Sequence, residues 1–197
     1  MEITPDSIKE QIPYYLTQEQ KEGLVRALKD FPAKTNYYLN GYQDELLQGD
    51  GWTKLQMLNF ESGEKASILG IILSNSCDVS PENKRDLPVK ITFSPLVLLS
   101  AYVSLLERAG IDSNRIQAKV ASIKEQKVTN IFFLPAGSGL KDDFIVLFDE
   151  AHTMPAKNFE LEKEKEKVFT LSLVGFYLFV LKLSVHFCRF NDKVDRI

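Results

Sequence analysis

The densest run of reactive side chains in the 197-residue sequence is Ser74-Asn75-Ser76-Cys77-Asp78. It follows an apolar run directly, which is where a rigid strand hands functional groups to solvent. Cys77 would act as a nucleophile only beside a base that withdraws its proton, and the chain has two histidines for that role, His152 and His186. The same five residues also read as a plain turn, with Asn, Ser and Asp bonding to main chain and Cys77 filling a small apolar hole. A metal would have to draw on Cys77, Asp78, His152, His186 and Cys188. The closest pair, His186 and Cys188, stands two apart on an expected helix and faces two ways, so the expectation is no metal and no cofactor. The Ala136-Gly137-Ser138-Gly139 run lacks the spacing of a phosphate loop and reads as a turn.

A second set of charged groups lies near the carboxyl end. In the apolar stretch from Val168 to Phe187, with Arg189 just beyond, Ser172, Gly175, Lys182, His186 and Arg189 recur at helical spacing and share one face. The stretch has the length of a bilayer span, but a lysine in its middle and no second such segment argue for a core helix with one wet stripe. Lys182, His186 and Arg189 on that stripe either oppose the negative pole of the helix or face a phosphate or an acidic partner. Tyr37, Tyr38, Tyr42 and Trp52 either stack bases or pack beneath the amino-terminal helix.

The elements that must position these groups follow from composition and pattern. With 44% hydrophobic residues and a net charge of −3, the chain is too apolar to be disordered and is not a globally basic nucleic-acid binder. Cys77 and Cys188 lie too far apart in sequence for a disulfide framework, and the first thirty residues lack a signal-peptide run. The expectation is a cytoplasmic protein with reduced thiols and no membrane contact. A helix is expected at Thr17–Phe31, ending at Pro32. Strands are expected within 48–60, in the apolar run 66–75, and at 87–93, 128–135 and 144–149. The 66–75 run should be central and buried on both faces. Ser94-Pro95 looks like a helix start, Gly110 a stop, and Asp112 or Ser113 the cap of a second helix. The result is a single α+β domain: a helical segment at 1–35, a body at 45–157 with an αα-hairpin inserted at 95–126, and a closing helix within 158–197.

Three pieces in this order resemble the MazF/PemK family, the small SH3-like barrel ribonucleases of bacterial toxin-antitoxin pairs. They are Gly49-Asp50 followed by Trp52, with Gly63-Glu64 in the next loop; Gly70-Ile71-Ile72-Leu73-Ser74-Asn75; and Gly139-Leu140-Lys141-Asp142-Asp143-Phe144-Ile145-Val146-Leu147. The resemblance covers roughly 49–157 and implies a small SH3-like antiparallel β-barrel. It also implies RNA cleavage by internal attack of the ribose 2′-hydroxyl, with an Arg before the Ser-ending strand and a Thr or Ser further on. Thr92 and Ser94 stand at about the second location, with Lys90 or Asp78 assisting. At the first stand Ile68 and Leu69, and an apolar side chain cannot stabilise a phosphorane. Two functions follow as expectations: a ribonuclease or RNA-binding member of a toxin-antitoxin or phage-defence system, or a non-catalytic subunit that carries a protein partner such as an antitoxin. In either, Trp52, Ser74, Asn75, Lys90, Lys182, His186 and Arg189 are candidate contacts to RNA or partner. Self-association as a homodimer is left open.

Overall fold

A computed structural model describes residues 35–59, 61–83 and 85–188. The helix expected at Thr17–Phe31, and Arg189, lie outside these residues. The described chain is an α+β fold: one eight-stranded antiparallel sheet with five helices. The strands are β1 (Tyr38–Leu39), β2 (Gly51–Leu58), β3 (Lys65–Ile72), β4 (Lys90–Leu98), β5 (Ile131–Leu134), β6 (Phe144–Leu147), β7 (His152–Pro155) and β8 (Lys167–Leu171). The helices are α1 (Ser76–Val79), α2 (Leu99–Arg108), α3 (Ser113–Lys124), α4 (Ala156–Leu161) and α5 (Leu173–Cys188). The sheet runs β1-β8-β2-β3-β4-β6-β5, with β7 paired to the first half of β4. This path is open: among the described residues no strand pairing returns from β5 or β7 to β1.

Strand alternation builds two cores. On β3, Ile71 faces one cluster with α5 and Ile72 faces the other with Trp52, Leu55, Phe93 and Phe159, and both isoleucines are fully buried. The central strand buried on both faces that the sequence suggests is present only in the second half of β3, since Lys65, Ala66 and Ser67 are exposed. A third cluster, built on Leu99, Ile123, Phe133 and Ile145, seats the αα-hairpin on β5 and β6. Asp112 caps α3 by accepting from the N–H groups of Asn114 and Arg115, and α2 is followed by Gly110 at φ +73°, a conformation glycine adopts freely.

Two expectations are corrected. Ser94-Pro95 does not open a helix: β4 continues through both to Leu98, and α2 starts at Leu99. Pairing of Gly70, Ile71 and Ile72 with Pro95, Ser94 and Phe93, and the burial of those three, outweigh the local start signal. The run from Val168 is not one helix. Lys167–Leu171 pairs with β1 and β2 as a strand, and Ser172 ends it by accepting the Gly175 N–H in its Oγ and the Phe176 N–H in its carbonyl. Ser172 is thus a cap rather than part of a wet stripe. No helix of the described residues is long and apolar enough to cross a membrane.

Candidate functional site

β3 delivers the Ser74–Asp78 corner, and β4 holds it. The N–H groups of Leu73 and Ser74 both donate to Thr92 O, at 2.8 and 3.2 Å, while Ser74 Oγ accepts the Thr92 N–H at 2.7 Å. Ser74, a candidate contact to RNA or partner, and Thr92, a candidate catalytic residue, are therefore in direct contact. Asn75 caps the single turn of α1 by accepting the Cys77 N–H at 2.9 Å, and Val79 anchors that turn in the second cluster. From the other side Gln48 braces the corner. Its N–H donates to Ser76 Oγ at 2.9 Å and its Nε2 to Leu73 O at 2.7 Å.

The corner's charges are largely spoken for. Arg85 binds Asp78 Oδ1 at 2.8 Å and the Cys77 carbonyl at 3.2 Å, and Asn83 Nδ2 adds a second donor to that carbonyl at 2.6 Å. Cys77 itself is exposed, not filling an apolar hole, and among the described residues no hydrogen bond or ring contact joins it to a histidine. His152 stacks on Phe93 with ring centroids 6.0 Å apart, and His186 sits against Phe148 and Phe187. Lys90 is exposed opposite Pro155, and Thr92 is half-buried opposite Thr153.

Other expected site residues point inward. Ser94 is 0% exposed, and its Oγ donates to Leu147 O at 2.7 Å. Trp52 is buried edge-on against Phe159. Ile68, where the resemblance puts an arginine, packs against the second cluster. Tyr37 is buried in the first cluster, with Tyr38 packed against it and donating its hydroxyl to Pro135 O, whereas Tyr42 is exposed.

Lys182 is 1% exposed and is not on an outer stripe. Its Nζ donates to Gln126 O (3.0 Å), Gln126 Oε1 (3.2 Å), Val128 O (2.7 Å) and Ile131 O. These acceptors lie just past the carboxyl end of α3 and on β5, so the ammonium serves as an internal cap. Burial lowers it from 10.5 to about 7.

Sequence reasoning missed a second buried cation. Lys167, at the head of β8, reaches Asp50 Oδ2 at 2.6 Å, with side chains 3% and 1% exposed. The same ammonium lies 5.2 Å from the centroid of the Trp52 ring and donates to Tyr42 O. Burial pushes the Asp50 carboxyl up, while Lys167 and the Leu47 N–H, donating at 2.9 Å, pull it down. Among the described residues, Asp50 Oδ1, Thr170 Oγ1 and Trp52 Nε1 have no hydrogen-bond partner. The only sequence signals were a lysine heading an apolar run and an aspartate between two glycines.

Compared with known proteins, the chain matches no family model, and no curated sequence is significantly similar to it.

Proposed function

We propose that this chain is a non-catalytic binding subunit on a degenerate MazF/PemK-like barrel, serving a bacterial toxin-antitoxin or phage-defence system, and that it docks a protein partner at the Ser74–Asp78 corner. The observation that carries this reading is Ser94. Of the two hydroxyl residues that the resemblance places near the reactive phosphate, Thr92 and Ser94, Ser94 is inside the core with its hydroxyl spent on Leu147 O. With Ile68 packed in an apolar cluster, two of the positions a phosphorane would need offer it nothing.

Charge at the corner is balanced. From Ser74 to Lys90 the sequence carries three acids, Asp78, Glu82 and Asp86, and three bases, Lys84, Arg85 and Lys90, and Arg85 is paired with Asp78. Nucleic-acid affinity rests on free cations that release counterions from phosphates. Lys182 supplies none, because its ammonium is enclosed by carbonyls.

A ribonuclease is the second reading, and the Ser74–Thr92 contact favours it, because it sets two hydroxyl residues side by side near exposed Lys90. Anisotropy of a labelled mixed-sequence RNA at low salt tests the choice at the level of binding. The expected result is no saturable binding; a saturable curve that weakens with salt and collapses in Lys90→Glu would overturn the protein-docking reading.

A further inference from the structure

β3 is paired along its length on one side only. β2 covers it from Lys65 to Ile71, whereas β4 covers only Gly70, Ile71 and Ile72. At Pro95, which has no N–H to continue a ladder, β4 turns away, and from Leu96 it pairs with Val146 of β6 instead. The slot beside Lys65–Leu69 is left without a strand among the described residues. The opposite edge of this ribbon is different, because Gln56 N–H on β2 already donates to Met154 Sδ of β7 at 3.5 Å.

The direction of the free groups follows from alternation. Ile72 exchanges bonds with the β2 side, its N–H to Asp50 O and its carbonyl from Gly49 N–H. Gly70, Ile68 and Ala66 therefore also turn toward β2, and Leu69, Ser67 and Lys65 present their N–H and C=O groups outward. Lys65, Ala66 and Ser67 are exposed, and Ile68 and Leu69 are half-buried. An unpaired row of this kind is a template for another strand, and native proteins rarely leave one open.

The row fits its own copy. We propose that two copies of this chain associate by antiparallel pairing of their β3 edges about a two-fold axis through Ser67. Because Ser67 is an outward residue, this register sets outward residues opposite outward residues: Ser67 faces Ser67, and Lys65 faces the partner's Leu69. No charge meets its like, and the lysine stem lies along a leucine. The length also agrees. The free row begins just after the turn at Gly63 and Glu64 and stops where Pro95 faces Gly70, so a second β3 fills the slot without reaching β4. The contact is isologous and closes at two copies.

Sedimentation equilibrium of the full chain across a range of concentrations tests this. The expected result is a reversible dimer that Ser67→Pro, which removes the donor on the axis, converts to monomer. If that variant fails to fold, the register is tested by charge. Leu69→Lys puts an ammonium opposite the partner's Lys65 and raises the dimer dissociation constant about tenfold, and adding Lys65→Glu restores it. A monomer at every concentration, or a dimer indifferent to these changes, overturns the proposal. So does a monomer whose Lys65, Ser67 and Leu69 amides resist hydrogen exchange, because the edge is then occupied from within the chain.

Discussion

Lys182 and Gln126 close the outer edge of β5 with side chains instead of a strand. Gln126 Nε2 donates to Phe133 O at 2.7 Å and Gln126 Oε1 accepts the Phe133 N–H at 3.1 Å, so one amide mimics a strand neighbour. Lys182 Nζ lies 3.2 Å from the same Oε1 and takes Ile131 O, the next carbonyl of that edge. The αα-hairpin, β5 and α5 are thereby joined through two side chains, and sheet pairing at that edge has no open site.

This relationship fixes the stability of the hairpin. Lys182→Met fills the same volume but takes the donor from the buried carbonyls of Gln126 and Ile131, each loss costing roughly 1–3 kcal/mol. A loss of about 2–4 kcal/mol in urea unfolding is expected. Gln126→Leu should cost a similar amount, and the double variant less than the sum, because the two groups share Oε1.

The pH dependence has a definite sign. Lys182 is lowered from 10.5 to about 7 in the folded chain, so between those values the unfolded chain holds a proton that the folded chain does not. Stability contributed by this group therefore rises with pH from about 7 to 10.5 and is flat below 7. Urea midpoints measured from pH 6.5 to 9.5, in roughly half-unit steps, should climb in the native chain and lose that component in Lys182→Met.

Asp50 and Lys167 should show the asymmetry of a buried pair. Breaking it with Asp50→Asn or Lys167→Met leaves an uncompensated buried group and is expected to cost about 3–5 kcal/mol. Replacing both should cost clearly less than the two singles together, which a double-mutant cycle in denaturant measures directly. Trp52 gives an independent readout: it is the only tryptophan, its ring lies under the Lys167 ammonium, and its emission should shift in Lys167→Met.

Close packing of α5 on β1 depends on Gly175. A Cβ there would collide with the carbonyl of Tyr37, a main-chain atom that cannot swing aside. Gly175→Ala should therefore destabilise by about 1–3 kcal/mol despite its higher helix propensity, and thermal unfolding would show it.

How much of this was legible in the sequence depends on where each signal lay. β3 was legible because its apolar run stands alone between turns, and α3 because Asp112 sits before a periodic run. β1 was not, since Tyr38–Leu39 carries no strand pattern and exists only through pairing with Leu171 and Thr170. β8 was hidden because its apolar residues continue into α5, and the cap that divides them, Ser172, looked like one polar position of a helix. At the corner, Ser74 and Thr92 stood out separately, one at the end of an apolar run and the other through the resemblance, and only the pairing of β3 with β4 brings them into contact. Ser94 was not expected inside, because only tertiary pairing decides that β4 runs on past it. The two lysines were hardest: a lysine in an apolar run is consistent with a snorkelling surface group or a buried cap, and only the distant carbonyls distinguish them.

Incubating the purified chain with mixed RNA in chelator, and analysing the ends by mass spectrometry, tests the central functional claim most directly. Intact RNA is expected, indistinguishable between the native chain and Thr92→Ala. Products with cyclic phosphate ends that vanish in Thr92→Ala would contradict it.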